Sequence, residues 1–304
     1  MNNRRELIKA IGGVLPLLAF SPRTSRASRE TSRYHHSKEQ FSSLRPQTVA
    51  ISFSKGGVGK TTTTINLATE LATNGHRVLI VDLDPQGNAS TGLGIERSQR
   101  KLSSYDVLAG TSGIQEASVC SCIAGLHIIP STQELNGAEL DLADVDRRAY
   151  RLRDALERSV DDYQYVLIDC PSSFGLLTLN ALTAAHSVLM PVQCEFFALE
   201  GLSQLLRSIE RVKVTFNPTL DIRGILLTMF DKSNNLSWEV ANDVREYLGD
   251  KVYETVIPRD VCVAEAPSHG KPVLLYAPQC AASRAYFQFA EEFMERESQL
   301  MGTN

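Results

Sequence analysis

The chain has 304 residues, of which 43% are hydrophobic and 22% charged, and its formal net charge is −4. These proportions are those of an ordinary globular protein, so they exclude a wholly disordered, collagen-like or coiled-coil chain. The length suits one large α/β domain or two small ones. No apolar run approaches the roughly 20 residues that a membrane-spanning helix needs.

The charge is unevenly spread along the chain. Residues 1–47 carry nine basic and three acidic side chains, a net charge of +6, so the rest of the chain carries −10. The body is therefore not a generally basic nucleic-acid-binding protein. Contact with DNA would need a local basic patch.

The N-terminal segment, residues 1–47, has three possible interpretations. Arg4 and Arg5 precede an apolar stretch, Ala10 to Phe20, a pattern that resembles a twin-arginine export signal. The Ser- and Arg-rich tract that follows resembles an organellar transit peptide. The third interpretation is an unstructured extension or a start codon assigned too far upstream. In every case we expect the segment to be a disordered leader or extension with no part in catalysis.

The body, residues 48–300, reads as strands that alternate with helices. We predict strands at Thr48–Phe53, Arg77–Asp84, Leu126–Pro130, Tyr165–Asp169, Ser187–Val192, Ile222–Met229 and Val252–Ile257. We predict helices at Thr61–Asn74, Asp144–Asp161, Leu176–Ala185, Leu199–Thr215, Ser237–Leu248 and Ala282–Gln299. Because each strand is a nearly continuous apolar run, the pattern predicts one α/β domain with a mostly parallel sheet and helices on both faces.

Six cysteines are scattered over the body and form no C-x-x-C pair. Cys120 and Cys122 form a lone C-x-C without a second pair or a nearby histidine cluster. This pattern favours free thiols in a reducing compartment over a metal site at that pair.

The strongest motif is a glycine-rich loop, Ser54 to Thr62, between a predicted strand and a predicted helix. Glycines let backbone N–H groups turn inward around an anion, and the helix start presents further N–H groups to the same anion. Lys60 can reach the β- and γ-phosphates of ATP, and the Thr61 hydroxyl can ligate Mg²⁺. The residues expected to hold the phosphates are Gly56, Gly57, Val58, Gly59, Lys60, Thr61 and Thr62.

Carboxylates follow two of the predicted strands. Asp82 and Asp84 end the second strand on one face, at the edge where open α/β sheets bind ligands. A carboxylate there can orient a water molecule for attack on the γ-phosphate. Asp169 ends an apolar strand in the Walker B pattern and is expected to hold Mg²⁺.

Several runs together resemble the ParA/Soj partition proteins among the deviant Walker A ATPases. They are K-G-G-V-G-K-T-T from Lys55, D-P-Q-G-N-A-S-T-G-L-G from Asp84 and E-A-P-S-H-G-K-P from Glu265. The resemblance extends from about Thr48 to about Gln299. It implies a single P-loop NTPase domain that binds ATP and Mg²⁺, dimerises around the nucleotide, and hydrolyses ATP slowly on its own.

The resemblance also assigns residues. It implies that Lys55 reaches across the dimer to the partner's phosphates, and that Asp84 is the catalytic carboxylate, acting with Lys55 and Lys60. It implies that Asp82 lies near Mg²⁺ behind the direct ligands. Pro258 is expected to pack on the adenine, beside Asp260, which stands where relatives usually have asparagine.

The chain departs from the family at two positions that usually carry DNA-binding arginines. Ser233 and Cys262 stand there, and loss of a phosphate-contacting arginine lowers DNA affinity. Lys232, next to one of these positions, is a candidate partial replacement. Arg245 and Lys251 are further candidates, for which an ordinary solvated charge is the favoured interpretation.

We therefore predict a cytoplasmic, nucleoid-associated ParA-type ATPase for chromosome or plasmid segregation. Its partners would be a second copy, a ParB-type protein and non-specific double-stranded DNA. The alternative is an ATP-switched positioning or scaffold ATPase of the same family that no longer binds DNA. A MinD-like membrane-recruited ATPase is disfavoured because the C-terminal stretch Phe289–Glu297 is acidic and anionic lipid would repel it.

Overall fold

An eight-stranded sheet forms the centre of the computed structural model, which describes residues 46–158 and 162–301. The strands are β1 (Gln47–Ile51), β2 (Val78–Asp82), β3 (Val119–Cys120), β4 (Leu126–Ile129), β5 (Tyr165–Asp169), β6 (Ser187–Gln193), β7 (Asp221–Phe230) and β8 (Val252–Pro258). Their order across the sheet is β3-β4-β2-β5-β1-β6-β7-β8. All neighbours are parallel except the short edge strand β3, which runs antiparallel to β4. The predicted N-terminal extension lies outside the described residues up to position 45.

The helices follow the strands in alternation. They are α1 (Lys60–Thr73), α2 (Asn88–Gly92), α3 (Ser104–Ala109), α4 (Ile114–Ala117), α5 (Ala138–Asp141), α6 (Arg151–Glu157), α7 (Leu176–Ala184), α8 (Ala198–Thr215), α9 (Asn235–Leu248), α10 (Val261–Glu265), α11 (Val273–Tyr276) and α12 (Ala281–Met301). Short 3-10 turns occupy Arg97–Gln99, Gln133–Gly137, Arg148–Tyr150, Gly249–Lys251 and Ala266–His269. In the part of the chain that the structure describes, none of these helices combines the length and the apolar character needed to cross a bilayer.

The central strands are buried on both faces, which explains their continuous apolar sequences. Every residue of β2 and of β5 is buried. In β2, Leu79 and Val81 belong to one apolar cluster, whereas Val78 and Ile80 belong to another. Because side chains alternate across a strand, these two clusters are the two faces of the sheet. Residues of α6, α7, α8 and α9 cover the first face, and residues of α1 and α12 cover the second. The predicted α/β class, with a mostly parallel sheet and helices on both faces, is confirmed.

One predicted helix, Asp144–Asp161, is wrong over its first half. The chain there forms a 3-10 turn, and the α-helix begins only at Arg151. Arg147 has a φ of 57°, a left-handed conformation that cannot continue a right-handed helix. Its guanidinium group pairs with Asp154 instead, with Nη2–Oδ1 and Nε–Oδ2 distances of 2.7 and 3.0 Å. Residues 159–161, at the end of the predicted helix, lie outside the described residues.

The packing of α12 gives a test of which face of that helix holds the fold together. Phe289 is fully buried, and its ring meets the edge of Tyr253 with 4.8 Å between ring centroids. We expect Phe289→Ala to lower the free energy of unfolding by about 3–5 kcal/mol, because it leaves a cavity in the core. The matched control is Phe287→Ala on the same helix, where the side chain is 44% exposed and the expected change is within about 0.5 kcal/mol. Urea unfolding of both variants measures this, and equal losses would contradict the assignment of the buried face.

Candidate functional site

The predicted phosphate loop lies at the edge of the sheet where the parallel strands β1, β2 and β5 end. Residues 54–59 connect β1 to α1. Gly57 and Gly59 have φ values of 75° and 92°, which residues with a Cβ rarely adopt. A Cβ built on Gly57 would meet no atom within 4 Å, so this side of the loop is open to a ligand. The free N–H groups at the start of α1 face the same region, as anion sites require.

Lys60 places a buried cation inside this loop. It is the first residue of α1 and only 7% exposed. Its Nζ donates a hydrogen bond to the carbonyl oxygen of Lys55 over 3.2 Å. Burial lowers the pKa of Lys60, and the Asp169 carboxylate opposes that shift. A cation held partly out of water is suited to pairing with a phosphate group.

Asp169 joins the end of β5 to the start of α1. Its Oδ2 accepts a hydrogen bond from the Thr61 hydroxyl at 2.8 Å, and its Oδ1 accepts one from the Thr64 hydroxyl at 3.1 Å. Asp169 is fully buried, and burial, together with the neighbouring Asp82, raises its pKa to about 8. A carboxylate and a hydroxyl are hard oxygen donors, and a divalent cation would compensate the buried negative charge. The residues present therefore fit a Mg²⁺ site.

Asp82 lies beside Asp169, opposite it in the β2–β5 pairing. Its Oδ2 accepts hydrogen bonds from the Ser90 backbone N–H at 2.9 Å and the Ser90 hydroxyl at 2.7 Å, and its Oδ1 accepts one from the Asp84 N–H at 3.2 Å. Burial raises the pKa of Asp82 to about 6. Its contacts hold the segment after β2 in place, and its role near a metal stays a prediction.

Asp84 lies on the wall of a cavity of about 440 Å³ that Lys60 and Gly57 also line. The carboxylate is half-buried, and its Oδ1 accepts the Gln86 N–H at 3.0 Å. Lys271 also lines this cavity. The structure therefore brings the predicted catalytic carboxylate and the phosphate-loop lysine to one cavity.

A second cavity, of about 460 Å³, lies on the far side of the loop. Pro258 and Asp260 line it together with Gly59 and Thr62 of the phosphate loop, which places both predicted adenine neighbours next to that loop. Met229 lines both cavities, and its φ of 49° is unusual for a residue with a side chain. The two cavities together can take a nucleotide that has its phosphates in the loop.

Lys55 does not line the 440 Å³ cavity. Its ammonium group forms an ion pair with Glu195, just after β6, and both side chains are partly exposed. This ion pair lies within one chain, so the Lys55 ammonium group, which the family resemblance assigns to a partner's phosphates, is bound to Glu195 instead. That role of Lys55 stays a prediction.

The three predicted DNA-binding residues lie in different surroundings. Lys251 immediately precedes β8, and its ammonium group donates to the carbonyl oxygen of Ile222 in β7 at 2.9 Å. This position is where the parallel strands begin, at the opposite end of the sheet from the phosphate loop. Arg245 donates to the Glu254 carbonyl oxygen at 3.2 Å. Lys232 is exposed on a surface groove.

The groove beside Lys232 has a volume of about 780 Å³ and is lined by two further exposed basic residues, Arg259 and Arg284. Asp231 and Glu254 also line it, so its formal net charge is +1. The three cations come from three separate segments of the chain and meet only in the folded structure. A nucleic-acid backbone would meet three basic side chains together in this groove.

The two positions that depart from the family have local roles. Ser233 donates its N–H and its hydroxyl to Asp231 Oδ1, at 2.9 and 2.6 Å, which closes a tight turn before α9. Cys262 lies in the first turn of α10. All six cysteines are free thiols, as predicted. Cys120 and Cys122 are exposed.

Sequence reasoning missed several residues of the site. Glu195 lies two residues after β6 and Met229 is the next-to-last residue of β7, and neither belongs to a recognisable motif. Thr228 fixes the phosphate loop, because its buried hydroxyl donates to the Val58 carbonyl oxygen at 2.8 Å. A polar residue at the end of a buried strand was the available signal for Thr228, and basic residues close to a lost arginine were the signal for Arg259.

Comparisons with known proteins agree on one family of nucleotide-binding proteins. A family model described as an AAA domain matches residues 46–222. The chromosome partitioning protein ParA of Caulobacter vibrioides is 58% identical over 251 residues, which cover 82% of this chain and 94% of that protein. The sporulation initiation inhibitor protein Soj of Bacillus subtilis is 50% identical over 244 residues, covering 80% and 96%. The crystal structure of cobyrinic acid a,c-diamide synthase from Mycobacterium smegmatis with bound ADP and magnesium is 36% identical, with a TM-score of 0.71, covering 81% and 93%.

The bond between Thr228 and the loop can be tested by removing one hydroxyl. We expect Thr228→Val to lower the free energy of unfolding by about 1–3 kcal/mol, because the buried Val58 carbonyl loses its partner. Amide hydrogen exchange in the loop should also become faster, since the loop loses its attachment to β7. The control is Thr215→Val, an exposed residue that ends α8. Equal unfolding free energies for the two variants would contradict the role of Thr228.

Proposed function

The chain belongs to the ParA/Soj family of P-loop ATPases, and we propose that it uses ATP and Mg²⁺ to drive chromosome or plasmid segregation. The observation that carries this proposal is the convergence of Lys60, Asp84 and the Asp169–Thr61 pair at one edge of the sheet. The related structure from Mycobacterium smegmatis holds ADP and magnesium, which supports the same ligands here.

The residues of the loop would bind the triphosphate. The backbone N–H groups of residues 56–61 and the Lys60 ammonium would hold its phosphates, while Thr61 and Asp169 would hold Mg²⁺. Bound Mg²⁺ would neutralise negative charge on the β- and γ-phosphates. Pro258 would pack against the adenine in the 460 Å³ cavity. An ionised carboxylate accepts hydrogen bonds and donates none, so Asp260 would supply the base with no donor. Both of its oxygens already accept backbone N–H groups.

Asp84 would orient the attacking water molecule and accept its hydrogen bond. The carboxylate is attached through the Gln86 N–H, and the Asp84 backbone N–H is itself bonded to the buried Asp82. Asp82 therefore acts as a positioning residue for this segment. Catalysis of this kind depends on placement and electrostatics rather than on a covalent intermediate.

Dimerisation would require Lys55 to leave Glu195. The two side chains are 45% and 30% exposed, and exposed ion pairs contribute at most about 1 kcal/mol. A phosphate group of a partner-bound nucleotide, with more negative charge than one carboxylate, would compete successfully for the Lys55 ammonium. In the single chain, Lys55 would therefore be held by a weak ion pair that a partner's nucleotide can replace.

The partners follow from this dimer. We propose that a ParB-type protein activates hydrolysis and that the dimer binds the duplex DNA of the nucleoid without sequence preference. This chain would then act in the cytoplasm. The groove with Lys232, Arg259 and Arg284 is the DNA contact that the geometry favours, because three cations lie within one concave surface. The second candidate function, a scaffold ATPase without DNA binding, is favoured by Ser233 and Cys262 in place of two arginines.

The catalytic assignment predicts a separation of binding from turnover. We expect Asp84→Ala to lower the rate of phosphate release by about a hundredfold or more, because the water molecule loses its orienting group. ATP binding and dimerisation should persist, since Asp84 contributes neither to the loop nor to the Lys55 pair. Sedimentation with ATP and a phosphate-release assay measure the two properties. Lys60→Ala is the control that should lose nucleotide binding as well, and unchanged phosphate release by Asp84→Ala would remove Asp84 from its role.

The DNA assignment predicts which basic residue sets the salt dependence. We expect ATP to confer non-specific duplex binding whose logarithmic salt slope becomes shallower by about 2 per dimer in Lys232→Ala, because each subunit loses one phosphate contact. Lys251→Ala should leave the slope unchanged, since Lys251 is bonded to the backbone at the other edge of the sheet. A salt series with the ATP-bound full chain measures both slopes.

Two results would change the proposal. A shallower slope in Lys251→Ala but not in Lys232→Ala would move the DNA contact away from the groove. ATP-dependent dimers that ignore DNA even at low salt would favour the scaffold ATPase, and the search would turn to its protein partners.

A further inference from the structure

Two thiols and one carboxylate lie together outside the 440 Å³ cavity. The Sγ atoms of Cys262 and Cys280 and a carboxylate oxygen of Asp260 all lie within 4.8 Å of one another. Among residues 46–158 and 162–301, this is the group of three whose donor atoms are close enough to hold a metal ion. All three residues are half-buried, so the group is reachable from solvent but is not a loose surface cluster.

The backbone holds these three side chains in place. Asp260 is the N-cap of α10, and its Oδ1 accepts the Cys262 N–H at 3.1 Å. Its Oδ2 accepts the Ala282 N–H at 3.2 Å, in the first turn of α12. Cys280 precedes α12, and its Sγ accepts the Ser283 N–H at 3.3 Å. One carboxylate therefore ties together the starts of two helices, and each helix start brings one of the thiols to it.

We infer that Asp260, Cys262 and Cys280 form a binding site for a borderline-soft divalent cation of the zinc type. Tetrahedral zinc with bonds of about 2.3 Å to sulfur separates its ligand sulfurs by about 3.7 Å. Donor atoms already within 4.8 Å need to contract by only about 1 Å to reach that geometry. Three protein ligands leave the fourth position to water, which the partial exposure of the group allows.

The donor set distinguishes this site from the Mg²⁺ site. Thiolates select zinc-type cations, whereas Mg²⁺ prefers the oxygen donors that Thr61 and Asp169 offer. A disulfide between Cys262 and Cys280 would consume both thiols and so exclude the metal. The exposed pair Cys120 and Cys122 offers two thiols elsewhere on the chain, so it is the natural internal control.

The site adjoins the 460 Å³ cavity, which Asp260 and Val261 line. With both thiols protonated, replacing two protons by one divalent cation leaves the net charge of the group unchanged. The expected effect is therefore mechanical, because the metal would link α10 to α12 and stiffen that wall of the cavity. Any effect on nucleotide affinity must be matched by an equal effect of nucleotide on metal affinity; this coupling alone rests on the proposed function.

The test is cobalt and zinc binding by the reduced, metal-free full chain without nucleotide. Co²⁺ bound by thiolates gives a thiolate-to-cobalt charge-transfer absorption, whereas Co²⁺ at the oxygen ligands Thr61 and Asp169 does not. We expect one equivalent of Co²⁺ per chain with that absorption, and its displacement by Zn²⁺. Cys262→Ser and Cys280→Ser should each weaken binding by roughly tenfold or more.

The controls make the result specific. The double variant Cys120→Ser/Cys122→Ser should retain the absorption and the affinity. Circular dichroism in the presence of a chelator checks that each variant is folded before metal is added. Two results would overturn the site: no charge-transfer absorption in the parent chain, or absorption that survives Cys262→Ser and disappears in Cys120→Ser/Cys122→Ser. In the first case, a Cys262–Cys280 disulfide that forms in air would show that the two thiols pair with each other instead of holding a metal. Because no nucleotide is present, each of these results is independent of whether the chain is an ATPase.

Discussion

The buried carboxylate of Asp169 is the group on which the rest of the site depends. Burial raises the pKa of this group to about 8 because a charge inside a protein is costly, and the hydroxyls of Thr61 and Thr64, which each donate to one of its oxygens, offset part of that cost. These bonds hold the first turn of α1 against the end of β5. The phosphate loop is the segment that immediately precedes α1, so the same two bonds also determine where the loop lies.

Other walls of the site are held by a few hydrogen bonds from buried or half-buried side chains. Thr228 at the end of β7 bonds to Val58 of the loop, and Asp260 bonds to the starts of both α10 and α12. These hydrogen bonds all involve residues that lie around the 460 Å³ cavity or beside it. A change in the position of α10 therefore alters a cavity that the phosphate loop also lines, which gives a physical route by which α10 and the phosphate loop can affect each other.

The features that could be predicted from the sequence are those set by neighbours along the chain. The strands β2 and β5 were predictable because burial on both faces demands apolar residues throughout. The phosphate loop was predictable because positive φ values demand glycine at positions 57 and 59. The Lys55–Glu195 pair and the position of Met229 were not, because they depend on which strand ends meet in space. The false start of the helix at Asp144 has a local cause that the apolar pattern does not reveal: Arg147 has a left-handed backbone conformation, and its side chain pairs with Asp154.

Position 262 connects the departures from the family to the geometry found here. An arginine at this position would project a permanent charge that could reach DNA, whereas the Cys262 thiol lies against Asp260 and Cys280. The exchange removes a cation from the surface and adds a donor to a cluster. Any electrostatic attraction to a nucleic acid would then come from other side chains. Arg259, three residues earlier, lines a groove together with the basic residues Lys232 and Arg284.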